Sequence, residues 1–182
     1  IRTEDIHNLY TYNGHLFACG DFEGILCYNL KDKSIRTIRI LCNENDYKQP
    51  NIQEIRYIKD NRFAISNTRF LYEMEFEGDD YTKDKVDINR KVQYERQFEK
   101  LIRNRITNLH YDNDNEVLWV GTYGNGLVKI NVSQSYAFQI NLPDEIYHIN
   151  DIVQDADGYI WEMIEGVPTK TDEKTETITY MV

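Results

Sequence analysis

Over residues 106–142, apolar side chains recur in short runs of mostly alternating character, separated by polar, turn-forming clusters. Ile106, Leu109 and Tyr111 set the first run, and Asn113, Asp114, Asn115 and Glu116 follow as a turn. Residues 117–122, with Val117, Leu118, Trp119 and Val120, read as a buried strand. Gly124 and Gly126 mark the next turn, 127–131 a third strand and 136–142 a fourth. Four short strands joined by tight turns predict one antiparallel sheet.

The pattern recurs. Residues 149–155 repeat the first run, Asp157 and Gly158 the turn, and Trp161 falls where Trp119 fell. A fourth strand is expected over 178–181. Upstream, Ile6 opens a unit, and 24–29 match 126–131. Residues 16–20 match 118–121 with a one-residue shift that puts Ala18 at the Trp position. A weaker copy starts at Ile52, with Ser66 in place of the strand-ending glycine. The unit starts, Ile6, Ile52, Ile106 and Ile149, lie 46, 54 and 43 residues apart.

A period of about 40 to 50 residues with four strands per unit predicts the blades of a propeller. One such sheet cannot bury both its faces alone, so units stack face to face, with Trp119 and Ile130 filling the gaps. The predicted class is all-β: a partial β-propeller of about four four-stranded antiparallel blades, about 6–42, 52–94, 106–142 and 149–182. Period-two patterning argues against a helical solenoid. Residues 78–105 break the rhythm as an insertion or connector. Within them 78–85 read as a loop, and Tyr94, Phe98, Leu101 and Ile102 are spaced as one helix face; a plain outer strand over 86–94 is the alternative. Arg90, Lys91, Arg96, Lys100, Arg103 and Arg105 in this stretch read as a solvated face.

The net charge of −10 argues against nucleic acid and against direct contact with an anionic membrane surface, since both recruit Lys and Arg. No apolar run is long enough to span a bilayer. The first residues do not form a signal peptide, and the chain reads as a piece of a longer one. Three cysteines, Cys19, Cys27 and Cys42, are not a disulfide framework and match no zinc spacing. Cys19 and Cys27 are placed to sit on neighbouring strands, where a bridge is conceivable; the favoured reading is small buried thiols.

Little in the sequence points to catalysis. Asp155, Asp157 and Gly158 begin like a calcium loop, but Trp161 and Met163 stand where oxygen donors belong, so the segment reads as a turn. Asp112–Asn115 reads the same way. His7, His15, His110 and His148 have no ligand spacing and read as hydrogen-bonded polar side chains near the inner strands. The glycines of 121–126 precede a strand, so no helix N-terminus is available for phosphate. A carboxylate pair assembled by folding would leave no mark in the sequence. No cofactor and no metal site is expected. Recurrent placement favours the turns between second and third strands as a ligand-binding rim: Phe22, Glu23, Asn67, Arg69, Tyr123, Asn125 and Glu165.

Residues 106–131, with 118–131 most of all, resemble the two-component regulator propeller repeat, and 149–161 are similar to the start of the next such repeat. Glu162 and Met163 depart from that pattern, which has an apolar residue and a glycine there. The resemblance implies the extracytoplasmic, periplasmic sensor region of a Bacteroides-type hybrid two-component histidine kinase. It further implies a soluble ligand, an oligosaccharide, with the kinase elsewhere in the parent protein. A non-catalytic scaffold is the rival expectation, in which these blades complete a propeller with the parent's remaining blades or pair as a homodimer.

Overall fold

The computed structural model describes residues 6–41, 51–67, 71–76, 85–87, 90–91, 105–124, 126–133, 136–140, 149–164, 167–172 and 177–180, and all regular structure among them is strand. The chain divides into two compact units, Ile1–Val92 and Gln93–Val182.

The first unit holds two sheets. One is built from β1 (Ile6–Tyr12), β2 (His15–Gly20), β3 (Ile25–Asn29) and β4 (Ile35–Leu41), in that order and antiparallel. The second has β5 (Glu54–Lys59), β6 (Arg62–Ser66) and β7 (Leu71–Glu75). Asn13 and Gly14 carry φ of 44° and 73°, and Asp60 and Asn61 carry 51° and 60°. Two consecutive left-handed residues make the tight hairpin whose twist matches that of the flanking strands.

Alternation then assigns each side chain to a face. Phe17, Cys19, Ile25 and Ile38 on the first blade join Ile55, Phe63, Ile65 and Met74 on the second in one buried cluster. We call the face a blade turns to its successor the forward face and the opposite one the rear face.

Within residues 78–104 of the stretch read as an insertion or connector, 85–87 and 90–91 are described, and both pieces are strand. β8 (Lys85–Asp87) pairs in parallel with β4, matching Arg39 to Lys85 and Leu41 to Asp87. β9 (Arg90–Lys91) pairs antiparallel with β7. The stretch therefore stitches the outer edge of the first blade to that of the second. The predicted helix face over 94–102 lies outside the described residues.

The second unit repeats the plan. β10 (Ile106–Asp112), β11 (Val117–Thr122), β12 (Leu127–Asn131) and β13 (Tyr136–Ile140) form the third blade. β14 (Ile149–Gln154), β15 (Ile160–Ile164), β16 (Val167–Asp172) and β17 (Thr177–Tyr180) form the fourth. Val117, Trp119 and Leu127 pack on Ile149, Ile152, Ile160 and Ile164. A Cβ on Gly121 would lie 2.9 Å from the Ile149 side chain, so this position needs a small residue for the blades to close.

Strand register aligns the blades. β1, β10 and β14 share a register shift just after their first residue, at Ile6, Ile106 and Ile149. Asn8 pairs with Cys19 as Asn108 pairs with Gly121. The Trp119 position of the first blade is therefore filled by Phe17, not Ala18, and no one-residue shift is needed. Phe17 and Trp119 are both fully buried. Glu54 pairs with Ser66, so Cys19, Ser66 and Gly121 occupy one small-residue position. Trp161, opposite Val153, holds the register of Trp119 opposite His110. Each Trp has a lysine ammonium over its ring, Lys129 at 5.4 Å and Lys170 at 5.3 Å. They differ in burial: Trp119 is sealed and Trp161 is half-exposed.

Candidate ligand-binding rim and inner strands

The turns between second and third strands are held by the backbone. Thr122 donates to the Gly126 carbonyl through both its N–H (3.1 Å) and its hydroxyl (2.7 Å). The Tyr123 N–H donates to the Arg105 carbonyl at 2.8 Å, and Gly124 and Gly126 are left-handed. This lifts the Tyr123 ring into solvent. In the first blade Gly24 is also left-handed, and a Cβ there would run into the Ile38 carbonyl oxygen. Phe22 is half-buried, Glu23 is exposed and Asn67 is half-buried. Arg69, Asn125 and Glu165 lie outside the described residues. Within the first unit the turn also carries Asp21, whose carboxylate lies 3.1 Å from His7 Nε2.

Sequence reasoning missed a second polar row, on the first strand of each blade. Arg56 donates to Asn8 Oδ1 at 3.0 Å and to the Ile55 carbonyl at 2.7 Å. Its other terminal nitrogen lies 3.3 Å from the buried Glu54 carboxylate, and the guanidinium stands over the Tyr10 ring at 5.3 Å. Burial raises the Tyr10 phenol above its ordinary pKa. The second unit has Asn108 donating to Asp151 at 3.3 Å and His110 within 3.5 Å of Gln154. The signal was legible: Asn8, Glu54, Asn108 and Asp151 are each the third residue of their unit.

The acidic turns organise backbone. Asp112 accepts from the N–H groups of Asp114 (2.9 Å) and Asn115 (3.1 Å) through Oδ1. Its Oδ2 accepts from Asn115 Nδ2 (2.8 Å) and from Gln154 of the next blade (2.7 Å). Asp155 accepts from the N–H groups of Asp157 and Tyr159, and from the Trp161 indole at 2.7 Å. The indole hydrogen bond, with these backbone donors, holds its carboxyl below the usual range. Among the described residues no three His, Cys, Asp or Glu gather as a metal site. Of the histidines, His15 is hydrogen-bonded to the Asn13 carbonyl, and His148 lies outside the described residues.

Cys19 and Cys27 are free, buried thiols. Burial pushes the Cys19 pKa far up and that of Cys27 up to about 11, so neither is a nucleophile at neutral pH. Glu162 is the unusual acid. It holds the register of Val120 and Ile65 on an interior sheet face, and it is fully buried. Desolvation pushes its carboxyl up to about 7, against a smaller opposing effect of Thr171.

Residues 100–124 match the family model of the two component regulator propeller. The chain carries a two-component regulator propeller repeat. No curated protein matches it by sequence. Among solved structures it is similar to the extracellular domain of BT4673 from B. thetaiotaomicron, described as a one component system in one structure and a hybrid two component system in another. The TM-score is 0.75 at 17% identity, over 97% of this chain and 24% of that one. The extracellular domain of the hybrid two component system BT3049 from B. thetaiotaomicron matches at TM-score 0.65 and 14% identity, over 100% of this chain and 22% of that one. The WD40 β-propeller domain of Doa1 matches at 0.68 and 8% identity, over 97% of this chain and 53% of that one. The repeat chain thus spans roughly a quarter of the first two, and its fold is an all-β partial propeller.

Proposed function

We propose that this propeller segment belongs to the extracytoplasmic sensor region of a hybrid two-component regulator. It binds a small soluble ligand, an oligosaccharide, and is itself non-catalytic. The observation that carries the reading is the match of 100–124 to the regulator propeller family, on a blade whose adjoining turn holds an aromatic ring, Tyr123, in solvent. The extracellular location of the BT4673 and BT3049 domains supports an extracytoplasmic, periplasmic setting. Exposed aromatic rings beside carboxylates and amides suit sugars, which offer apolar ring faces flanked by hydroxyls. Phe22, Glu23 and Asn67 are the described candidates on the turns of the first unit and Tyr123 on a turn of the second; Arg69, Asn125 and Glu165 belong to the corresponding turns in the proposal. Ligand biases the parent protein by binding one of its states better than another.

The test is a thermal-shift screen of the chain against a panel of oligosaccharides, repeated with Tyr123→Ala. A binding sugar raises the melting temperature with the logarithm of ligand excess, adding about 2.7 kcal/mol of stability at a hundredfold excess over Kd, and Tyr123→Ala reduces the shift. A melting temperature that no sugar moves removes the ligand from the reading.

A further inference from the structure

The contact between the third and fourth blades carries one residue out of pattern. Glu162 pairs with Ile152 on one side and Thr169 on the other, so its side chain lies on the rear face of the fourth blade. The same register holds Ala18, Ile65 and Val120 in the other blades, all apolar and buried. The residues flanking it along that face, Ile160 and Ile164, pack with Ile152 on Trp119, Val117 and Leu127 of the third blade. Glu162 is therefore set into the seam between two blades, 1% exposed. Among the described residues neither of its carboxyl oxygens has a hydrogen-bond partner. The same is true of the buried Trp119 indole N–H across the seam and of the Thr171 hydroxyl, which shares the face through its pairing with Ile160.

The charged and titratable groups that border this seam are engaged elsewhere. β10 brings His110, within 3.5 Å of Gln154, and Asp112, which accepts from Gln154 and from its own turn. β12 brings Lys129, whose ammonium stands over the Trp119 ring at 5.4 Å. β14 brings Asp151, which accepts from the Asn108 amide and the Ile152 N–H. Among the described residues β11, β15 and β16 bring no other acid or base to the seam. An ionised Glu162 is thus a charge among apolar side chains, whereas its acid form has a proton to donate and an oxygen to accept with, matching a hydroxyl and an indole N–H. Burial raises its carboxyl to about 7, and Thr171 opposes this slightly without a formed hydrogen bond. We propose that this seam is a proton-controlled hinge: the blades close on Glu162 in its acid form, and loss of that proton to solvent loosens the third blade from the fourth while the first unit stays closed.

The reporter is the Trp119 indole proton, which donates no hydrogen bond, so burial in the seam is its protection against exchange with solvent. Its exchange in the whole chain is followed by NMR between about pH 5 and pH 8, each rate divided by that of free tryptophan at the same pH. Protection is expected to fall by about fiftyfold over that range, because the closed seam holds a proton that the open one releases. Main-chain amides of β6, in the first unit, should keep theirs. Glu162→Gln, uncharged at every pH, should show one level of protection throughout. Glu162→Val is a second uncharged variant should the buried amide disturb packing, and circular dichroism establishes that each is folded. Wild-type protection that does not move with pH overturns the inference. So does an indole proton exchanging at the free rate at the acid end, or the same fall in both uncharged variants. A parallel fall at β6 overturns it too, since the whole chain and not one seam would then be opening.

Discussion

The two blade-to-blade contacts, one in each unit, solve the same packing problem with different chemistry. In the first unit Tyr12 and Tyr57 stack with ring centroids 4.1 Å apart, and Phe63 stands edge-on to Tyr12, Tyr57 and Phe76 at 5.4 to 5.5 Å. In the second, the residues in those registers are Asp112 and Gln154, joined by a 2.7 Å hydrogen bond. Asn8 meets a guanidinium in one unit, and Asn108 meets a carboxylate in the other. What recurs is the pleat, the register and a large ring, Phe17 or Trp119, on the forward face. The comparison teaches that this repeat conserves geometry between its blades and leaves the pairing chemistry free.

The sharpest way to break the comparison is to empty each contact of its largest ring. Phe63→Ala and Trp119→Ala should each cost about 3–5 kcal/mol, because both side chains are fully buried and the sheets cannot collapse around the gap. Trp161→Ala should cost clearly less, since that side chain is only partly buried. Urea unfolding read by far-ultraviolet circular dichroism compares the three; equal costs for Trp119 and Trp161 would contradict the burial difference.

Glu162 tests the second contact alone. Its folded pKa, about 7, stands above the unfolded value near 4.5, so the folded state holds its proton more tightly. Stability should therefore be greatest below about pH 4.5 as far as this group is concerned, fall as pH rises to about 7, and stay low above that. The full loss is on the order of 3 kcal/mol. Glu162→Val, which restores the residue type of Val120, should stabilise the chain at pH 8 and flatten the curve between pH 4.5 and 7. Melting curves across that range decide it, and an unchanged slope in the variant would rule the group out.

The smallest effect is expected at the turn. Asp112→Ala removes two N–H caps and the link to Gln154, for about 1–2 kcal/mol. Asp155→Ala, whose carboxylate serves its own blade only, should cost less. A double-mutant cycle of Asp112 with Gln154 should return a non-zero coupling energy.

Most of the strand plan was legible because alternation is local: each strand advertises its buried face within five to seven residues. Register was less so. The glycine ending the second strand suggested aligning Gly20 with Gly121. The requirement there is for a small side chain against the next blade, and Cys19 meets it as Gly121 does, with Ser66 small at the same register. That slip moved the ring position from Phe17 to Ala18. β8 left no mark, because three residues, Lys85, Val86 and Asp87, carry no period, and their partner strand lies more than forty positions earlier. The turn residues of the candidate rim were chosen from recurrence. The inner polar row recurs as faithfully at the third residue of each unit, yet its members differ in charge, and a search by residue type passes over them.

The parallel pairing of β8 on β4 has a consequence for colloidal behaviour. A sheet's last strand offers unpaired amides and carbonyls that any extended segment can zip onto, which is how β-rich chains nucleate fibrils. Over Arg39–Leu41 that edge is already occupied by the chain's own Lys85–Asp87, flanked by charge at both ends. Over those three residues β4 is closed to a stranger's backbone, and the edge passes to a three-residue strand with a charge at each end, which is a poor template.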